Sequence, residues 1–439
     1  MLEKKREVPV LSGKDFEDYV AALLQVSGAF VERNISGGDI LELDIVATNF
    51  LNEESSETTI VEVKSGDWGL TDAFKLKGWM EFLGKEKGLM VYSRHFGKTM
   101  GIEKVRSRLA KIGVELRNVS NDLDDWERAM SSLKLQRNDK ICKYDIEIWT
   151  KSYKLERKVI ECLNSLKKGT SNCKFTNQDS SPNCAKDIHD YYNTVNNKVF
   201  FLEDNVEKLN ELYKDHSSKG YRLSERCMAG LQRDTSEKRS IPHELFDQTF
   251  YNCEFNILQI STYVEHKARL SILRTATELL INSSLKDFAK LPGSLSKGMS
   301  RIRSEKYFYL YPTFWQWFLW AFGGFILKER ENDEYKILSD KTGLPVEEVK
   351  NAMEVYNKLF PIRGGKKWLV DLSDRDGYEQ KIELKQVILF PCVLRGLGVL
   401  YRTYLYGEPG NVESIAISDP HTLDYLRKSY RLAETILAS

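Results

Sequence analysis

Between residues 14 and 119 the spacing of apolar positions switches repeatedly between a helical and an extended period. Phe16, Tyr19, Val20, Leu23 and Leu24 share one face of a helix predicted over Lys14–Ser27. Ala29–Ile35 predicts a short strand, and Ser36-Gly37-Gly38-Asp39 turns the chain. Ile40–Thr48 and Thr58–Lys64, rich in β-branched and apolar residues, predict two strands joined by a polar loop, Asn52–Glu57. Helical spacing returns over Leu70–Leu83. Gly88–Tyr92 predicts a strand, Lys98–Lys111 a basic helix and Val114–Val119 a last strand. The order is αβββαβ followed by αβ, which marks residues 1–120 as an α/β domain.

Beyond residue 120 helical periodicity dominates. Asp122–Lys168 reads as helical, residues 169–186 as a polar loop rich in Ser, Asn and Thr, and His243–Ile281 as a long helix. These belong to a mainly α-helical region over 121–330. A further helical region covers 331–439. Within it, residues 335–385 pair a helix-turn-helix, centred on Leu338–Pro345 and Val346–Phe360, with two strand candidates, Lys367–Leu372 and Glu379–Leu384. That sequence of elements suits a winged helix.

Composition narrows the picture. Of the 439 residues, 41% are hydrophobic and 29% charged, as in a globular protein. A net charge of +1 excludes a global basic field, so any nucleic-acid contact must be local. The seven cysteines are scattered without a CxxC, which argues against zinc and against a disulfide framework. With no signal-peptide pattern at the start, a reducing cytoplasm is expected. The aromatic run Tyr307–Leu327 is divided by Pro312. The helix then expected over Thr313–Leu327 is about 22 Å long, short of a ~30 Å hydrocarbon core. It suits a buried core helix better than a membrane anchor. The six histidines show no metal-ligand spacing.

Chemistry concentrates in the first domain. On a strand, side chains alternate faces, so Glu62 and Lys64 share one face while Val61 and Val63 take the other. A charged pair among buried valines needs a partner or a role. Asp44 interrupts the apolar run Leu43–Val46 on the preceding strand. If the strands are neighbours, Asp44 and Glu62 converge on one cation, and oxygen donors suit Mg²⁺ or Mn²⁺. A lysine alongside can orient water or stabilise charge on a transferring phosphate. Glu17 borders the apolar stripe of the first helix. The other reading of the trio is a buried ion-pair network without metal.

The helix GKDFEDYVAALLQVSG and the strands ELDIVATN and TTIVEVKSG resemble the PD-(D/E)XK nuclease superfamily, over residues 12–119. The opening helix is similar to the Mrr-like and Holliday-junction-resolvase-like branches. The resemblance implies a restriction-endonuclease-like αβββαβ core with a mixed sheet. It implies catalytic Asp44, Glu62, Lys64 and Glu17, and a cation held by Asp44, Glu62 and the backbone carbonyl of Val63. Leu43 stands where the superfamily name has proline. The match extends to no single subfamily, so the substrate does not transfer.

For substrate, Arg94 to Lys111 holds Arg94, Lys98, Lys104, Arg106, Arg108 and Lys111 against Glu103 alone. This is either a phosphate-binding strip or a solvated helix face. Lys77 follows Ala73 and Phe74 by one turn, within reach of an active-site rim. Gly97-Lys98-Thr99 looks like the end of a P-loop, but Tyr92 stands where the upstream glycine belongs. The expectation is a Mg²⁺- or Mn²⁺-dependent endonuclease acting on nucleic acid, DNA ahead of RNA, in restriction or antiviral defence by family analogy. The alternative is an inactive nuclease-fold protein in nucleic-acid binding or assembly. The helix at 346–360 mixes Glu347, Glu348 and Glu354 with Lys350 and Lys358, which favours protein contact over duplex reading. A homo-oligomer or protein partner would then meet the C-terminal region.

Overall fold

The computed structural model describes residues 11–36, 42–52, 55–94, 101–135, 138–169, 182–194, 206–217, 223, 255–282, 291–309, 312–361, 367–371, 384–387, 390–407, 412–415 and 420–439. They fall into two compact units, residues 1–49 with 57–153 and residues 50–56 with 154–439.

The first unit opens with helix α1 (Lys14–Val26), whose first-turn acids Asp15 and Glu17 complement the helix dipole. Every residue from Phe16 to Val26 is buried, so the helix is enclosed well beyond the predicted apolar stripe. Its polar residues therefore need partners. Asp18 pairs with Arg33, and Gln25 accepts a hydrogen bond from the Tyr153 hydroxyl at 2.9 Å.

Strands β1 (Phe30–Ser36), β2 (Glu42–Asn52), β3 (Ser55–Lys64), β4 (Lys87–Tyr92) and β5 (Val114–Asn118) form one mixed sheet in the order β1-β2-β3-β4-β5. β1 and β2 are antiparallel, while β3, β4 and β5 are parallel, with Glu62 opposite Met90 and Met90 opposite Leu116. Parallel neighbours need crossovers. Helices α2 (Leu70–Phe82) and α3 (Ile102–Ala110) supply them. A Cβ on Gly88 would collide with Met80 Sδ and lie 3.3 Å from Leu76 Cγ, so a larger residue there would force the Met80 side chain of α2 to move.

The expected element order is the observed one. The polar loop at 52–57 is shorter than expected, because β2 continues to Asn52 and β3 starts at Ser55. Backbone pairing needs no apolar side chains, and the Thr48 and Thr58 hydroxyls lie 3.2 Å apart along it. Residues 95–100, including Lys98, lie outside the described residues. The helical stretch after 120 is two helices, α4 (Trp126–Ser132) and α5 (Lys143–Lys167), separated where Lys134 takes a positive φ of 56°. Asp145 caps α5 by accepting from Cys142 N at 2.8 Å.

The second unit is mainly helical. The polar stretch read as a loop to 186 already becomes helix α6 at Pro182 (Pro182–Tyr192), followed by α7 (Val206–Ser217). Within the predicted long helix, α8 spans Ile257–Asn282, and residues 243–254 lie outside the described residues. Helix α9 (Gly293–Ser304) follows.

The aromatic run is not the expected single helix. It divides into α10 (Thr313–Gln316), a wide π-helical turn at Trp317–Ala321, and strand β6 (Phe325–Leu327). Gly323 and Gly324, both with φ near +70°, release the helix into the strand (68° and 69°). Residues 313–327 are buried throughout. Among the described residues no helix is long and apolar enough to cross a membrane.

Helices α11 (Glu331–Thr342) and α12 (Val349–Leu359) then join at Gly343. Strands β7 (Leu369–Asp371) and β8 (Leu384–Val387) complete an antiparallel sheet ordered β6-β8-β7. Of the strand predicted over Glu379–Leu384, residues 379–383 lie outside the described residues, and Leu384 begins β8. α13 (Cys392–Tyr406) and α14 (Pro420–Ala438) close the unit.

Buried Arg402 of α13 joins these pieces. It grips Glu334 of α11 at 2.6 and 2.8 Å and donates to the carbonyls of Phe322 (3.0 Å), Phe325 (2.7 Å) and Gly398 (2.9 Å). Contrary to the cysteine reading, Cys162 and Cys392 each take part in a disulfide. Spacing along the chain does not reveal which thiols tertiary packing brings together.

Candidate active site

The site forms where α1 meets the two central strands. β2 and β3 are neighbours in the sheet, which brings Asp44 to Glu62. Asp44 Oδ2 accepts a hydrogen bond from Val63 N at 3.0 Å, so the carboxylate is anchored to the backbone between Glu62 and Lys64. Glu62 is only 3% exposed. Burial and then the charge of Asp44 raise its pKa, and Lys64 partly offsets them.

Glu17 joins this cluster from α1. Burial and then Asp44 raise its pKa, against the counter-charges of Lys14 and Arg33. Lys14 Nζ lies 2.9 Å from Glu17 Oε2, and Arg33 approaches at 3.9 Å while pairing with Asp18. Gly13 N donates to Ser65 Oγ at 2.6 Å, fastening the start of α1 to the end of β3.

Lys64 Nζ lies 2.7 Å from Glu62 Oε1 and 3.6 Å from Asp72 Oδ1. Burial alone would lower its pKa. The hydrogen bond and charge of Glu62, with Asp44 and Asp72 behind, outweigh burial and raise it. The end of β3 is held in place from several sides. Ser93 N donates to Lys64 O and Ser93 Oγ to Ser65 O, each at 3.1 Å. Trp68 packs on Tyr92 with ring centroids 4.9 Å apart and donates to Arg94 O at 3.3 Å.

Oxygen donors fit the hard divalent cation implied by the resemblance. The charge of Asp44 opposes the ionisation of buried Glu62, and a cation between the two would relieve it. Among the described residues, however, no set of three or more His, Cys, Asp and Glu side chains forms a ready ion cage. Mg²⁺ commonly takes one or two carboxylates and completes its shell with water and phosphate, so Asp44, Glu62 and the Val63 carbonyl are a sufficient donor set in kind.

The remaining candidates are dispersed. Lys77 pairs with Glu81 on α2 at 2.5 Å. Arg94 follows β4, with its carbonyl bound to Trp68. Arg106 pairs with Glu103 and donates to Leu116 O at 3.4 Å. It thus sits beside β5, two strands from β3 and roughly 10 Å away across the sheet. Three residues near the site escaped the sequence reading. Lys14 had a signal, its i,i+3 spacing from Glu17. Asp72 had one too, three residues after Gly69 at a helix start. Lys75, whose charge acts on Glu62, had none. No protein-family model, curated protein or solved structure matches this chain.

Proposed function

We propose that the first unit is a nuclease domain of the PD-(D/E)XK type, which hydrolyses phosphodiester bonds in nucleic acid with Mg²⁺ or Mn²⁺. The observation that carries this reading is the convergence of Asp44 and Glu62 from adjacent strands beside Lys64, with Glu17 entering from α1. Asp44, Glu62 and the Val63 carbonyl would hold the cation. Bound there, it would acidify a water molecule and neutralise charge on the phosphodiester.

The chain's own groups have separable tasks. Asp44, tied to Val63 N, gives the site a fixed acceptor. Glu17, balanced by Lys14 and Arg33, is a second acceptor for a water proton or a water-mediated ligand. The Lys64 ammonium, on the same face as Glu62, offers charge to a non-bridging phosphate oxygen. Lys14, half exposed beside Glu17, would meet a backbone phosphate.

We read DNA ahead of RNA as substrate, and restriction or antiviral defence in the cytoplasm as the setting, both by analogy with the family. In the second unit, the run α10, β6, α11, α12, β7, β8 with sheet order β6-β8-β7 supports a winged helix. The mixed charge of α12 supports a protein partner or second copy as its ligand rather than a duplex.

The test is cleavage of single- and double-stranded DNA and RNA in Mg²⁺, Mn²⁺ or EDTA, with Asp44→Ala and Lys64→Ala alongside. Metal-dependent cleavage that drops at least about 100-fold in both variants is expected, the scale of losing a group that stabilises transition-state charge. Cleavage persisting in both variants sinks the assignment. One observation favours the inactive, nucleic-acid-binding alternative: Lys64 already closes on Glu62 at 2.7 Å. Retained nucleic-acid binding without Mn²⁺ binding would establish that alternative.

A further inference from the structure

Lys64 sits on the carboxylate that a divalent cation would need. At 2.7 Å the ammonium occupies Glu62 Oε1, while Asp72 Oδ1 waits at 3.6 Å on the other side. Asp72 itself is held. Its other oxygen, Oδ2, accepts from Gly69 N at 2.8 Å in the first turn of α2, where the helix dipole favours an anion. The fixed oxygen keeps the free one turned to Lys64. A lysine ammonium carries three donors on a flexible stem, so a swing of about 1 Å exchanges the tighter partner.

We propose that Asp72 is a positioning residue that takes over Lys64 when Glu62 turns to a cation. It thereby clears the ligand oxygen and keeps the ammonium beside the site. The proposal rests on the reading of Asp44 and Glu62 as cation ligands. Its consequence is specific. Without Asp72, Lys64 stays on Glu62 and opposes the cation. Without Lys64, Asp72 has nothing to hold and its effect on the cation disappears.

Mn²⁺ affinity of the full chain, measured by calorimetry or by loss of the free-ion electron paramagnetic signal, tests this without any substrate. Asp72→Asn keeps an oxygen that caps Gly69, so its melting temperature should match the native chain. Its Mn²⁺ affinity should fall about threefold to fivefold, the scale of one partly exposed ion pair. Asp72→Glu should recover part of the loss. In a Lys64→Met background the same Asp72→Asn change should alter affinity by less than about 1.5-fold, within the additivity error of independent sites. An unchanged affinity in Asp72→Asn overturns the proposal. So does an equal loss in both backgrounds, since that is the through-space effect of a removed charge. A native chain that binds Mn²⁺ no better than Asp44→Ala overturns the parent reading, and this one with it. That outcome is recognisable before any Asp72 variant is made.

Discussion

Glu62 sits on a strand between buried valines, with a second carboxylate pressing on it and the charges of Lys64 and Lys75 in support. A side chain placed this way is costly for folding unless the ion pair with Lys64 repays the desolvation, and partly exposed pairs rarely do. Glu62→Gln keeps the shape and removes the charge. In the absence of metal, it should leave the melting temperature unchanged or raise it by up to about 4 °C. Addition of Mn²⁺, which should raise the native melting temperature by mass action, should do nothing to the variant. Thermal denaturation with and without Mn²⁺ reads both effects. A clear loss of stability in metal-free Glu62→Gln would mean that Glu62 and Lys64 are a structural pair, the other reading of the same residues. This residue pattern was legible in the sequence because a strand's two-residue period puts Glu62 and Lys64 on one face. Asp72 was not legible as a partner of Lys64, because its place depends on how the 65–69 connection folds back.

At the scale of elements, the first unit was legible because most of its strands and helices carry their own period, and the one continuous apolar run, Gly88–Tyr92, is too short for a helix. The run 313–327 was not legible. Its apolar residues are continuous, and continuous burial has no period to distinguish a helix from a strand. Two glycines and the Arg402 network decide it instead. Arg402 satisfies the carbonyls of Phe322 and Phe325, which a regular helix would have bonded internally, and Glu334 accepts from Leu327 N at 3.0 Å. These partners lie 68 to 80 residues from Arg402 in sequence, beyond any local pattern. Arg402→Met removes the partner of the buried Glu334 carboxylate and of the Phe322 and Phe325 carbonyls. It should destabilise the second unit by about 3–5 kcal/mol. Arg402→Lys should recover little, since a single ammonium cannot match a bidentate fork. Chemical denaturation followed by tryptophan fluorescence measures this, because Trp315, Trp317, Trp320 and Trp368 all lie buried in that unit. A loss below about 1 kcal/mol in both variants would show the network to be dispensable, as some buried ion pairs are when replaced.

For the whole molecule, two compact units imply that unfolding is not a single two-state event, and acid should separate the transitions. The second unit encloses His216 and His266. Burial, followed by the charge of Arg269, holds both well below the usual 6.5, with Arg395 and His216 adding to the effect on His266. His266 Nδ1 lies 2.7 Å from the Tyr356 hydroxyl, in a setting that also holds Trp368 and Phe390. Both imidazoles are neutral in the folded unit. Below pH 6.5 the unfolded chain takes up protons that the folded one refuses. Stability from these groups is therefore complete above about 6.5 and declines as the pH falls towards the depressed folded values. The deficit grows as the pH falls below 6.5 for as long as the folded imidazoles stay neutral. The first unit's one histidine in the sequence, His95, lies outside the described residues. Calorimetry between pH 7.5 and 5.0 should therefore show the second unit's transition moving down further than the first unit's. His266→Gln preserves a hydrogen-bonding side chain that does not titrate. It should remove the His266 part of that decline, whatever it does to stability at pH 7.5. An unchanged pH slope in His266→Gln would mean that carboxylates, not the buried imidazoles, set the acid limit of the second unit.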